Sequence, residues 1–226
     1  AIDIAHHSNG WFTKESVSQA IKAWAESLTE PKIRKWLSDY SFKEADQSVG
    51  VIMAGNIPFV GLHDALCVLL SGYRLKAKLS SKDSLLMTNV LETLQMIAPE
   101  WNKNIELNVQ LKDIDYLIAT GTDNSARYFD YYFKDVNRVI RKNRTSVAII
   151  QKEESKENLD YLAEDVFSHY GMGCRNVTKV YIPKGFKLDR LFNSFFKYQE
   201  IINHNKYGNN YDYNKAVYLL NKIDLI

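Results

Sequence analysis

Hydrophobic positions along the chain change period several times, and each change predicts a new element. Behind the capping signals of Thr13, Glu15 and Ser16, the residues Val17, Ile21, Trp24 and Leu28 recur at helical spacing. Pro31 restarts a second helix carrying Ile33, Trp36 and Leu37, so residues 13 to 41 read as helical. From about residue 48 the pattern shortens. "SVGVIMAG" is an apolar run ending in Gly55, as expected of a buried strand, and "FVGLHDALCVLLSG" is a helix closed by Gly72. "YRLKAKL" alternates as a strand, and "DSLLMTNVLETLQMI" is a helix starting at Asp83. "IELNVQL" and "DYLIATG" are further strands, followed by a helix over "DNSARYFDYYF". Strand and helix alternating from 48 to 140 predict right-handed crossovers and a largely parallel sheet.

"SVAIIQ" opens another strand, residues 157 to 170 form a helix, "VTKVYIP" is a strand and "LDRLFNSFFKYQEIINH" a helix. The end, "NKYGNNYDYNKAVYLLNKIDLI", shows no clear closing element. There is no internal repeat, low-complexity tract or long linker. The expected organisation is α/β: a helical lead-in plus a dinucleotide-type domain over 1–145, then a partial α/β unit over 146–226 that stops early.

Composition narrows the function classes. With 226 residues, 46% hydrophobic and 25% charged, the chain can bury a sizeable core. A net charge of +2 and the lack of a Lys/Arg run argue against nucleic-acid or membrane-surface binding. No apolar stretch approaches the roughly 20 residues that span a bilayer. The start, "AIDIAHHSNG", lacks the blocks of a signal peptide, so a cytoplasmic location is expected.

The two cysteines are too few for a disulfide framework and too scattered for a metal site. Cys67 lies in an apolar helical run and reads as a core thiol. Cys174 follows Tyr170, Gly171, Met172 and Gly173, and two glycines so close will not hold a helix, so this thiol is expected on a turn. His169 sits in a helical pattern five residues before it and reads as a surface or packing histidine. His6 and His7 read as a loop feature, with no metal site.

Ligands of open parallel sheets bind beyond the carboxyl ends of the strands. Three loops are expected there: "AGNIP", "LSSKD" and "TGTDNS". None carries GxGxxG. Gly121 and Thr122 open a helix whose first N–H groups could face an anion, and a plain strand-to-helix turn explains them equally well.

Taken together, "GVIMAGNIPF", "LLSGYRLKAKLSSKDS", "ATGTDNSARYF" and "GMGC" resemble, in order and approximate spacing, segments of the aldehyde dehydrogenase superfamily. These segments are an Asn-x-Pro loop, a Gly-to-Lys strand, a Thr-Gly-Ser helix start and a Gly-x-x-Cys nucleophile. Within it, the chain is most similar to the long-chain acyl-CoA (fatty-acid) reductases, the LuxC-like branch. The resemblance implies an aldehyde-dehydrogenase-like Rossmann-type sheet followed by a catalytic domain. It implies that Cys174 takes the acyl group as a thioester and that the Asn56 amide contributes to an oxyanion hole. It also implies that Lys78 contacts the adenosine ribose, Gly121 and Thr122 lie beside the pyrophosphate, and Ser125 lies toward the adenine.

Two departures refine this. Ser81 stands where NAD-preferring members carry a glutamate that would repel a 2′-phosphate, which favours NADPH, with Lys78, Lys82 and Arg74 as sources of attraction. Near Arg141, "IRKNRTSVAII" has no acid where hydrolytic members keep a water-activating glutamate. Reduction of an acyl-enzyme by hydride, or acyl transfer, follows more naturally than oxidation to free acid. The expected partners are an acyl-CoA or acyl-carrier substrate, an acyl-activating synthetase or acyltransferase, and further copies of the full-length chain. An acyltransferase or thioesterase acting through Cys174 without hydride transfer, and a non-catalytic fragment, are the competing expectations.

Overall fold

The computed structural model describes residues 1–42, 45–107 and 110–221. The chain divides into two compact units, Ala1–Asn143 and Arg144–Ile226.

In the first unit, a short 3-10 turn leads into α1 (Ala5–Ser8), α2 (Lys14–Ser27) and α3 (Glu30–Leu37). His6 and His7 therefore lie in a short helix, not in the expected loop. Thr13 caps α2, its hydroxyl accepting the Ser16 N–H at 3.2 Å. The buried face of α2 runs through Val17 and Ala20, whereas Ile21 from the apolar stripe is exposed.

The remaining elements alternate as β1 (Ser48–Ile52), α4 (Leu62–Leu70), β2 (Arg74–Lys78), α5 (Ser84–Ile97), β3 (Ile105–Leu107), β4 (Tyr116–Thr120), α6 (Asp123–Tyr132) and β5 (Asn137–Arg141). All five strands are parallel, in the order β3-β2-β1-β4-β5. Residues 108 and 109 of the expected third strand lie outside the described residues. β5 has no counterpart in the sequence pattern: it is an edge strand whose charged residues and exposed Val139 give no apolar run. The core is the apolar centre of the sheet. Val51, Leu75 and Ala77 are inaccessible to solvent and pack against Leu86, Met87 and Leu91 of α5 and Ala65 and Val68 of α4. Gly72 ends α4 with φ 84°, the left-handed conformation that glycine adopts without steric cost.

The second unit holds β6 (Ser146–Ile149), α7 (Lys156–Phe167), β7 (Val177–Tyr181), α8 (Leu188–Phe195) and α9 (Asn205–Leu220). β6 and β7 form a two-stranded parallel sheet. Its core is small, with Ile150, Leu159, Leu162, Phe186 and Leu191 buried. Two expectations fail here. The tail contains a helix, α9, which no apolar stripe announces because tyrosines and asparagines make up much of it and it buries none of its residues. The helix expected through residue 170 stops at Phe167; His169 and Tyr170 adopt φ 50° and 59°, outside any right-handed helix.

Candidate active site

Parallel pairing aligns the carboxyl ends of three strands in the first unit. Ile52 at the end of β1 is in register with Lys78 at the end of β2 and with Ala119 of β4. The loops after these strands therefore leave from one edge of the sheet; Asn56, Ser81, Gly121 and Thr122 lie in them, Lys78 is the last residue of β2 and Ser125 lies in the first turn of α6. The chain runs outward from β1 to β2 and β3 on one side, then returns to β4 on the other. The order reverses between β1 and β4, the kind of switch point beside which open parallel sheets bind ligands.

Two of these loops are locked together by Asp83, the residue that precedes α5. Asp83 is 2% exposed, and its Oδ2 accepts the N–H of Phe59 at 2.9 Å. Its Oδ1 has no hydrogen-bond partner among the described residues. Burial pushes the carboxyl up to about 7, with the Phe59 N–H pulling the other way. Phe59 itself has φ 58°, a left-handed conformation that costs a non-glycine residue roughly 1–2 kcal/mol. Gly55 fits because a Cβ there would lie 2.5 Å from Ser80 Oγ and 2.7 Å from Ser80 Cβ. On the other side, the buried Asn9 donates from Nδ2 to the Lys82 carbonyl at 3.2 Å. Asn56 is half-buried within this clamped loop, while Lys78 and Ser81 are exposed.

At the third loop, Thr122 caps α6. Its hydroxyl accepts the Ser125 N–H at 3.2 Å and lies 3.0 Å from the Ser125 hydroxyl. Gly121 donates its N–H to the Arg141 carbonyl at 3.1 Å, and a Cβ at Gly121 would press on Ser125 and Phe129 at 3.0 and 3.1 Å. These bonds give all three residues a structural task at the helix start. Arg141 ends β5 and places Nη1 2.6 Å from Oδ1 of the buried Asp64 on α4.

Cys67 is half-buried on α4, not packed in the core, and lies 3.6 Å from His63 Nδ1. Burial pushes its thiol up, and the Asp64 carboxylate adds to this. A groove lined by Val49, Cys67, Tyr116 and Val139 crosses the amino-terminal halves of β1, β4 and β5, away from the edge that carries the loops.

Cys174, in the second unit, is exposed on the turn between α7 and β7. Three successive residues before it, His169, Tyr170 and Gly171, have positive φ. The buried Asn176 holds this turn, accepting the Gly173 N–H at 2.7 Å and donating to the Asp165 and Ser168 carbonyls at 2.7 and 3.1 Å. The Tyr170 ring packs on His204, 4.4 Å between centroids, so the turn also rests on the cap of α9. Burial holds the His169 imidazole below its ordinary range, and its Nδ1 has no hydrogen-bond partner among the described residues. An asparagine two residues after a cysteine in a glycine turn was the one available sign of Asn176.

Neither a protein-family model nor a curated protein matches the chain. Solved structures do. An aldehyde dehydrogenase of Mycobacterium tuberculosis, complexed with NAD+, superimposes with a TM-score of 0.55 at 17% identity over 67% of this chain and 34% of its own. That of Bacillus cereus, also with NAD+, gives 0.57 at 15% identity over 68% and 34%. The fold is that of the aldehyde dehydrogenases. A propionaldehyde dehydrogenase of Clostridium phytofermentans shares it at 9% identity, with a TM-score of 0.56 over 69% of this chain and 39% of its own. The chain thus spans between a third and two fifths of the length of these aldehyde dehydrogenases.

Proposed function

We propose that the chain belongs to an acyl-CoA reductase of the LuxC-like kind, which uses NADPH to convert a fatty acyl thioester to the aldehyde through an acyl-enzyme on Cys174. The observation that carries this is the aldehyde dehydrogenase fold, with Asn56, Lys78 and the Thr122 helix start at one sheet edge and an exposed cysteine on a glycine turn. Cys174 Sγ attacks the thioester carbonyl, and the tetrahedral adduct collapses with loss of the CoA thiolate; the role the family resemblance gives the Asn56 amide is that of a donor to the oxyanion. When bound, the reduced nicotinamide supplies a hydride to the acyl carbon. The thiohemiacetal so formed on Cys174 releases the aldehyde and returns the thiolate.

The donor set suits a phosphorylated ribose. Lys78, Ser81 and Lys82 are exposed, and the one acid of that loop, Asp83, is buried against Phe59 instead of facing solvent. Arg141, near the place where a hydrolytic enzyme needs a base, is a cation paired with Asp64. The acyl donor is acyl-CoA or an acyl carrier fed by a synthetase or acyltransferase, and the full-length protein works as a homo-oligomer.

Incubation with a long-chain acyl-CoA and either NADPH or NADH tests the assignment. Aldehyde and free CoA are expected in equal amounts, with kcat/KM favouring NADPH at least tenfold. Loss of the amide donor in Asn56→Ala is expected to lower kcat by about 10²–10³-fold. Release of CoA without aldehyde would replace reduction by transfer or hydrolysis, and equal use of both cofactors would remove the NADPH assignment.

A further inference from the structure

The turn that presents Cys174 has a backbone its own residues disfavour. His169 and Tyr170 lie at φ 50° and 59°, where a side-chain-bearing residue is strained, and Gly171 follows at 71°. Something must hold them there. Two local bonds close the turn, from Met172 N–H to the His169 carbonyl and from Asn176 N–H to the Gly173 carbonyl, each 3.1 Å. The Asn176 side chain does more. Its Oδ1 takes the Gly173 N–H at 2.7 Å, while its Nδ2 faces the carbonyls of Asp165 at 2.7 Å, Ser168 at 3.1 Å and Val166 at 3.5 Å. These are the carbonyls left over where α7 ends. Asn176 is itself buried, 9% exposed, so its amide must spend its bonding capacity inside the protein. A single side chain therefore ties the residue next to the nucleophile to the end of a helix anchored by Leu159 and Leu162.

We infer that Asn176 is the positioning residue of the nucleophile turn: its amide bridge between Gly173 and the end of α7 keeps the 169–171 backbone left-handed and so sets the direction from which Cys174 meets an acyl carbonyl. The inference rests on Cys174 being the acyl-accepting thiol. Its geometric half, the holding of the turn, stands apart from that assignment.

The experiment compares the wild type with Asn176→Ala, Asn176→Asp and the double variant Asn176→Ala/His169→Gly. Three readouts are taken on each: deuterium exchange over residues 168–176, the rate of Cys174 acylation by a long-chain acyl-CoA, and the rate of Cys174 alkylation by iodoacetamide. In Asn176→Ala, exchange protection of the turn is expected to be lost and acylation to fall at least tenfold. Alkylation of the exposed thiol, which needs no fixed approach, is expected to stay within about twofold. Asn176→Asp keeps an oxygen for the Gly173 N–H and is expected to fall between the two. Glycine at 169 removes the strain and is expected to recover part of the acylation rate. A folded Asn176→Ala or Asn176→Asp protein with wild-type protection and acylation would overturn the inference, and so would equal losses in acylation and alkylation. A wild-type protein that is not acylated would remove the assignment of Cys174, leaving the exchange data to decide whether Asn176 holds the turn.

Discussion

Burial of the Asp83 carboxyl against one backbone donor ties the stability of the first unit to pH. The group is raised to about 7 in the folded chain, by burial first, against roughly 3.9 when unfolded. Below pH ~4 it is neutral in both states and costs nothing. Between pH 4 and 7 the unfolded chain releases the proton while the folded chain keeps it, so stability falls as pH rises, and above 7 the cost is constant. The difference corresponds to about 2–4 kcal/mol at pH 8. Asp83→Asn, whose amide oxygen can still accept the Phe59 N–H, is therefore expected to be more stable than the wild type at pH 8, with the gap closing toward pH 4. Urea midpoints at the two pH values measure this; a gap independent of pH would show that the carboxyl is not the titrating group. None of this was legible in the sequence, where Asp83 looks like an ordinary helix start. Its side chain makes no bond to its own helix and turns to a residue 24 positions earlier.

At the scale of elements, the loops after β1 and β2 behave as one clamped piece. Gly55 rests against Ser80, Phe59 against Asp83, and Asn9 reaches Lys82 from the amino-terminal segment. Gly55→Ala would drive a methyl group to within 2.5 Å of Ser80 Oγ, an overpacking expected to cost about 1–3 kcal/mol. If thermal unfolding shows no loss of stability, the loops are looser than this contact requires. The strands and helices between Ser48 and Ile97 were legible because apolar runs of strand length alternate with helical stripes, and Gly72 marks a true left-handed stop. β5 and α9 were not legible for the opposite reason. A charged edge strand and a helix without an apolar face leave no periodic signal, since neither buries a continuous side. The end of α7 was overrun because nothing in "FSHYG" forbids a helix locally; the break at His169 is enforced from Asn176, seven residues on.

For the molecule as a whole, the sequence motifs led to the right fold through their order. The sheet edge gathers Asn56, Lys78, Ser81, Gly121, Thr122 and Ser125 because parallel pairing brings the ends of β1, β2 and β4 level. The residues that hold those loops and the Cys174 turn in place, Asp83, Asn9 and Asn176, carry no motif, since their partners are backbone groups that any sequence offers. Under the proposed function, Cys174 becomes an acyl-enzyme that hydride then clears. The most direct measurement is intact-protein mass spectrometry after incubation with a long-chain acyl-CoA, before and after NADPH, with Cys174→Ala alongside. One acyl-sized increment is expected on the wild type, none on Cys174→Ala, and its disappearance on adding NADPH as aldehyde forms. An increment that NADPH leaves untouched, or one that persists in Cys174→Ala, would contradict the proposed function.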